Sequence, residues 1–340
     1  MSGRKWGQFT AYSLVYGAGL AKEANSTPAT NRTNTVELRG VRHGFITTNR
    51  IQLHYTEMGE GPAVVFLHGF PELWFSWRHQ MPAVAAAGFR AIALDMRGHG
   101  QTDAPANVDD YTVAHTVGDV IGVMDALSIE KAVVVGHDAG TTAAYHTALM
   151  RPDRIRGVVG LSMPYAPRGL RSNIELLAER LPAGFYMNYF QKPDVAENDL
   201  EADVGKSLTR LFFANSGDYV TQKPLLMIVP KDGTSTDTLP TPPGPLSFMS
   251  KQELQTYVAT YDWELTAPWM GMKLPVPAAY IGGTRDTVVN FPGNRARADA
   301  MARDSGGPAA VFLEGAGHWI QNERPAEVNA IILKFLASLK

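Results

Sequence analysis

The chain has 340 residues, 45% hydrophobic and 19% charged, with a formal net charge of -2. That is the balance of an ordinary globular protein, and it gives no electrostatic reason to expect nucleic acid or an anionic membrane as a partner. There is no cysteine, which removes disulfides, thiolate chemistry and cysteine metal sites and fits a cytoplasmic protein. No apolar run approaches the roughly 20 residues that a membrane span needs.

In chain order, residues 1–40 are expected to form a poorly ordered N-terminal extension. Arg4 and Lys5 precede a mildly apolar stretch, Phe9–Ala21, so a cleaved targeting peptide is the alternative reading. The core is expected to begin near Val41. Ile51–Glu57 alternates apolar and polar residues like a half-exposed strand. Ala63–Leu67, Ala91–Asp95, Ala132–Gly136 and Gly157–Leu161 are short continuous apolar runs, the pattern of strands buried on both faces. Helical stretches such as Val113–Leu127 and Thr141–Met150 separate them. Strands alternating with helices predict a mostly parallel, doubly wound α/β sheet.

The alternation stops near Ser162. Residues 166–270 carry aromatic- and Met-rich helical segments and the Pro-rich loop Leu239–Leu246. It returns with Pro275–Gly283, Ala309–Gly315 and a last helix, Pro325–Leu339. The simplest organisation is one α/β core, 41–165 and 271–340, interrupted by a helical cap over the C-terminal strand ends, where open α/β sheets bind ligands.

Three loops carry chemistry. After the strand Ala132–Gly136 comes Gly136-His137-Asp138-Ala139-Gly140, a frame whose glycines let a strand turn sharply into a helix with its central side chain exposed. An aspartate that merely caps the helix fits the frame equally well. Two further loops decide the matter: "TRDTVV" offers Asp286 and "EGAGHWIQNERP" offers His318, each just beyond a predicted strand. Nucleophile, acid, histidine is the chain order of the α/β-hydrolase triad. The turn after Ala63–Leu67 places the backbone N–H of Phe70, with that of Ala139, where an oxyanion would be bound. Asp103, Asp119, Asp125 and Glu314 are rival carboxylates. Asp119 and Asp125 fall within a predicted helix and are expected on its solvated face. No cluster has a metal-ligand spacing, no Gly-rich phosphate loop is present, and no cofactor is expected.

The segments "HGFPELWFSWRHQ", "LDMRGHGQTDAP", "VVVGHDAG", "YMNYFQKPDVAENDLEADV", "WELTAPW" and "GAGHWIQNERP" resemble the epoxide hydrolase branch of the α/β-hydrolase family, in its soluble plant and bacterial form, across about Val41–Leu339. The resemblance implies hydrolysis of a small lipophilic epoxide to a diol by Asp138, Asp286 and His318, with Phe70 and Ala139 as oxyanion donors. It implies a cap tyrosine, Tyr186, that donates to the epoxide oxygen, and a pocket including Trp74, Tyr189, Phe190 and Trp319. A homodimer is compatible with the sequence, which does not specify one.

Two departures stand out. The family's second cap tyrosine lies in a segment before the "WELTAPW" match; here "KQELQTYVATYD" runs directly into Trp263. Tyr261, or else Tyr257, is expected to substitute if the shortened cap brings one inward. Ala139 stands where the family usually has Trp, which keeps the backbone donor and removes a pocket wall. A haloalkane dehalogenase shares the aspartate nucleophile but typically releases halide through an indole that this chain lacks beside Asp138. A catalytically idle, ligand-binding member of the fold is the second alternative.

Overall fold

The computed structural model describes residues 36, 38–105, 107–167, 179, 181–182, 184–189, 195–220, 227–258 and 274–339. Eight strands form one sheet: β1 (Arg42–Thr48), β2 (Ile51–Met58), β3 (Ala63–Leu67), β4 (Arg90–Leu94), β5 (Ala132–His137), β6 (Ile155–Leu161), β7 (Ala278–Gly283) and β8 (Val311–Leu313). Their order is β1-β2-β4-β3-β5-β6-β7-β8. β1 pairs antiparallel with β2, and β2 antiparallel with β4, whereas every other pair is parallel.

The two faces follow from the period of the strands. In β3 and β5, Val65, Leu67 and Val134 enter one core cluster, while Val64, Phe66, Val133 and Val135 enter the other. The helices α1 (Gln80–Ala86), α2 (Val113–Ala126) and α3 (Ala139–Met150) connect the early strands. α2 and α3 close the first face with Val117, Val120, Ala143 and Ala144. α1 covers the second with Met81 and Val84. That is why the stretches Ala63–Leu67, Ala91–Leu94 and Ala132–Val135 are apolar throughout rather than alternating.

Between β6 and β7 the described chain adds no strand to the sheet. It forms short helical pieces, including Tyr186–Tyr189, and two longer helices, α4 (Val204–Asn215) and α5 (Lys251–Val258). α4 starts on the side chain of Asp203, which accepts the backbone N–H of Lys206 at 2.9 Å. It packs Leu208 and Phe212 on the second core face. α6 (Asn294–Ser305) and α7 (Pro325–Ser338) complete the chain. Among the described residues, no helix is long and apolar enough to cross a membrane.

Two expectations change. Ala309–Gly315 narrows to a three-residue, half-buried edge strand. Asp119 is not solvated: it is 3% exposed and takes a two-pronged ion pair from Arg97, at 2.6 and 2.9 Å, plus Asn49 at 2.8 Å. Its partners lie far away in sequence, so helical position alone pointed the wrong way. Asp125 does pair on the exposed side, with Arg154.

Candidate active site

Strand register places the site. Leu67 aligns with Gly136, His137 with Leu161, Leu161 with Ile281, and Gly283 with Leu313. The loops after β3, β5, β6, β7 and β8 therefore leave one edge of the sheet together.

Asp138 joins β5 to α3 at φ 49° and ψ -121°, left-handed backbone that costs energy for a residue with a Cβ. Close packing enforces it. A Cβ on Gly140 would lie 2.1 Å from the carbonyl oxygen of Leu67, and one on Gly69 would lie 2.4 Å from the Cβ of Asp138 itself. The turn after β3 thus sits directly against the elbow, and the N–H of Phe70 donates to Asp138 Oδ1 at 3.2 Å.

His318 lies in the loop after β8, with its N–H on the carbonyl of Asn215 at the end of α4, 2.8 Å away. Its Nε2 is 3.5 Å from Asp138 Oδ2, and its Nδ1 is 3.1 Å from Asp286 Oδ1. Asp286, after β7, is fully buried, and its Oδ1 also accepts the N–H of Val288 at 2.8 Å. The three residues picked from three separate loops therefore meet in one chain of contacts.

Their electrostatics are coupled. Burial would raise the Asp138 pKa. Hydrogen bonding and charge from His318, then the charge of His137 and the N–H of Ala139, hold it down at about 2. Burial would lower the His318 pKa, but the Asp286 charge and the contacts with both carboxylates hold it well above 6.5. At rest, Asp138 and His318 are therefore an ion pair. The Asp138 side chain keeps 19% exposure, so the carboxylate remains reachable.

Tyr186 opens a four-residue helix, its N–H on the carbonyl of Met227 at 2.9 Å. Burial, then the charges of Asp138 and Asp286, raise its pKa far above 10, so the phenol keeps its proton at any working pH. Tyr186 and Phe70 share an apolar cluster with Leu211, Ala214, Met227 and Leu239.

Tyr257, Trp319, Trp74 and Tyr189 are held by contacts of their own. Tyr257 is 1% exposed, with its hydroxyl on Ser76 Oγ at 3.0 Å and its ring against Phe75 and Phe212. It is a core residue on the second face. Tyr261 and Phe190 lie outside the described residues. Trp319 is buried behind the base, its ring 4.7 Å from that of His318 and its Nε1 donating to Phe212 O at 2.8 Å. The Trp74 ring packs edge-on against His43 and Phe75, and its backbone N–H donates to Asp95 Oδ1. The Tyr189 hydroxyl faces Asp199 Oδ2 at 3.4 Å.

Two groups had no role in the sequence reading. Glu72, fully buried, accepts from His137 Nδ1, from Gln321 Nε2 at 2.7 Å and from the N–H of Gly69 at 3.3 Å, while His137 Nε2 meets the carbonyl of His318 at 2.8 Å. One carboxylate thereby ties the turn after β3, the elbow and the base loop together. Burial would raise its pKa, and His137 more than reverses that. Ser162, just after β6, places Oγ 2.8 Å from His318 Nδ1. Glu72 stands inside a motif that could have flagged it; a lone serine after a strand carries no such signal. Among the described residues, no group of three or more His, Asp or Glu could hold a metal ion.

Comparison with known proteins agrees with this architecture. Residues 62–325 match the model of the alpha/beta hydrolase fold family. An epoxide hydrolase of Siraitia grosvenorii is 37% identical over 317 residues, 87% of this chain and 98% of that protein. Epoxide hydrolase A of Mycobacterium tuberculosis is 34% identical over 87% of this chain and 97% of its own. The structure of an epoxide hydrolase from an endophytic Streptomyces superposes with a TM-score of 0.81 at 36% identity, covering 88% of this chain and 96% of that one. The fold and the site define an α/β-hydrolase, and the chain belongs to that family in its epoxide hydrolase branch.

Proposed function

We propose that the protein hydrolyses a lipophilic epoxide to a vicinal diol through an alkyl ester on Asp138. Asp138 Oδ2 attacks an epoxide carbon, the C–O bond of the ring breaks, and Tyr186 donates its phenolic proton to the departing oxygen. Oδ1 becomes the ester carbonyl oxygen, already beside the N–H of Phe70. His318 then removes a proton from water, and the resulting hydroxide attacks the Asp138 carbonyl carbon. The N–H groups of Phe70 and Ala139 hold the oxyanion on Oδ1. Collapse expels the diol oxygen, which takes the proton from His318, and the Asp138 carboxylic acid, now carrying one oxygen from water, passes its proton to His318 to restore the resting ion pair. The proton on Tyr186 is restored from solvent.

A carboxylate suits this substrate where a serine would not. Serine would form an ether, which has no carbonyl for water to attack; the aspartyl ester has one. The charge change also times the base. Esterification removes the negative charge of Asp138, one of the groups that keeps His318 protonated. The imidazole then loses its proton to solvent, balancing the proton that Tyr186 regains, and becomes able to activate water.

The observation that carries this reading is an aspartate on the elbow in contact with a histidine that is paired with a second aspartate and with an N–H donor, near enough to Tyr186 for its charge to act on the phenol. The chemistry of Leu211, Ala214, Met227 and Leu239 favours an apolar substituent on the epoxide. Incubation with styrene oxide and with an epoxy fatty acid should give diol, and Asp138→Asn should give none. Diol production by the Asn variant at the wild-type rate would refute the reading.

A further inference from the structure

Ser162 occupies an unusual piece of backbone. It is fully buried and has φ 72°, in the left-handed region that a side chain disfavours. The N–H of Met163 bonds back to the carbonyl of Leu161 at 2.9 Å, which makes Ser162 the centre of a three-residue γ-turn of the strained hand. The turn is clamped from several sides. The N–H of Ser162 bonds Ile281 O at 2.9 Å. Its carbonyl accepts the Tyr280 hydroxyl at 2.7 Å, and the next carbonyl, of Met163, accepts the Tyr145 hydroxyl at 2.8 Å. Such strain persists only where the surroundings over-determine it, and its result here is specific. It aims Oγ at His318 Nδ1 from 2.8 Å, nearer than the Asp286 carboxylate at 3.1 Å.

We infer that Ser162 is a positioning residue: its hydroxyl shares the Nδ1–H of His318 with Asp286 and holds the imidazole in the form whose Nε2 is free to take a proton from water. Nδ1 has two oxygen neighbours, one of them an acceptor-only carboxylate, so the ring proton belongs on Nδ1 and Ser162 Oγ accepts it. The contact helps most after the ester has formed. Asp138 then no longer faces Nε2 as a charge, and the water-activating geometry depends on what grips Nδ1. Asp286 offers one oxygen to that grip; its other, Oδ2, is buried with no hydrogen-bond partner. A second acceptor therefore has room to matter.

The groups facing His318 are few. Asp138 lies on Nε2 and Asp286 on Nδ1. The His137 ring, with Glu72 behind it, stands 4.8 Å from the His318 ring. Glu323 accepts the N–H groups of Gly317 and Trp319 on either side, at 2.9 and 3.1 Å. None of these contacts is made through the Ser162 hydroxyl, so a shift in the base's titration on changing Ser162 reports that hydroxyl.

The proposal rests on the ester mechanism above, and its test separates the two. Ser162→Gly removes the hydroxyl and relieves the left-handed strain, so it should fold at least as well as the wild type; Ser162→Ala removes the hydroxyl and keeps the strain. Formation and decay of the alkyl-enzyme with styrene oxide are followed by rapid quench and intact mass, across pH. Expected in both variants is a decay slowed on the order of 10-fold, the size of one hydrogen bond to a charged group, with formation within about twofold of wild type. Losing an acceptor of the cationic ring's proton lowers the base's pKa, so the acid limb of decay should move to lower pH. Unchanged decay and an unmoved acid limb in Ser162→Gly would overturn the positioning role. A wild type that never forms the adduct would instead overturn the ester mechanism.

Discussion

In the proposed site the strand-end loops supply one wall and the segment between β6 and β7 the other, and they are held in different ways. Asp138, Asp286 and His318 follow β5, β7 and β8, parallel strands whose register is fixed through the sheet. The backbone at the elbow is locked by contacts that a single added Cβ would break. Tyr186 stands on a four-residue helix. Backbone bonds between Tyr186 and Met227 and between Val229 and Gly184, at 2.9 and 2.7 Å, anchor it, with a small apolar cluster alongside. The first wall is rigid because the fold's own hydrogen bonds build it. In the proposed site the second, resting on those contacts and not on the sheet, is the more adjustable, and such segments are where a family sharing one chemistry can vary its substrates.

The largest expected effect lies on the rigid wall. Asp138→Asn should reduce diol formation by ~10⁴-fold or more, as removal of a nucleophile acting within a unit does. His318→Gln should leave adduct formation intact and slow its decay by about 10²–10⁴-fold, so that the alkyl-enzyme accumulates and can be weighed. If both steps fell together, His318 would be holding the wall and not acting as the base.

Tyr186→Phe probes the adjustable wall. Loss of one donor to a developing alkoxide should cost on the order of 10²–10³ in adduct formation and leave decay unchanged. A loss below ~10-fold would say that another hydroxyl shares the task. Tyr257→Phe then sharpens the contrast. Its hydroxyl bonds Ser76 and not the substrate side, so the change should cost about 1 kcal/mol of stability by urea unfolding and leave diol formation as it was.

The pH dependence follows from the ion pair. The Asp138 pKa is depressed to about 2, so the nucleophile stays ionised until pH falls near that value and sets no acid limb on adduct formation in the neutral range. His318 is raised above 6.5 by charges that include Asp138, and that contribution vanishes in the ester. The acid limb of adduct decay should therefore lie below the pH at which His318 titrates in the resting enzyme, compared by single-turnover kinetics and NMR. Coincident values would mean that esterification does not retune the base.

Much of the rigid wall was legible in the sequence because each part has a local grammar. Apolar β-branched runs such as Ala132–Gly136 announce buried strands, and the glycines around Asp138 announce a turn too tight for side chains. The order of Asp138, Asp286 and His318 then joined the loops. What escaped depends on distance. Asp119 looked solvated because Arg97 and Asn49 reach it from outside its helix. Ser162 looked like any residue after a strand, since its conformation is set by Tyr280 and Tyr145. Tyr257 looked available as a donor, and only the packing of Phe75 and Phe212 shows that it is core.

The central claim is that oxygen from the carboxylate, and not directly from water, enters the product. A single turnover with excess enzyme in water enriched in oxygen-18 tests it most directly. The account predicts that the label appears in the peptide containing Asp138, while the first diol released carries none. Label in that first diol, with the Asp138 peptide unlabelled, would contradict it.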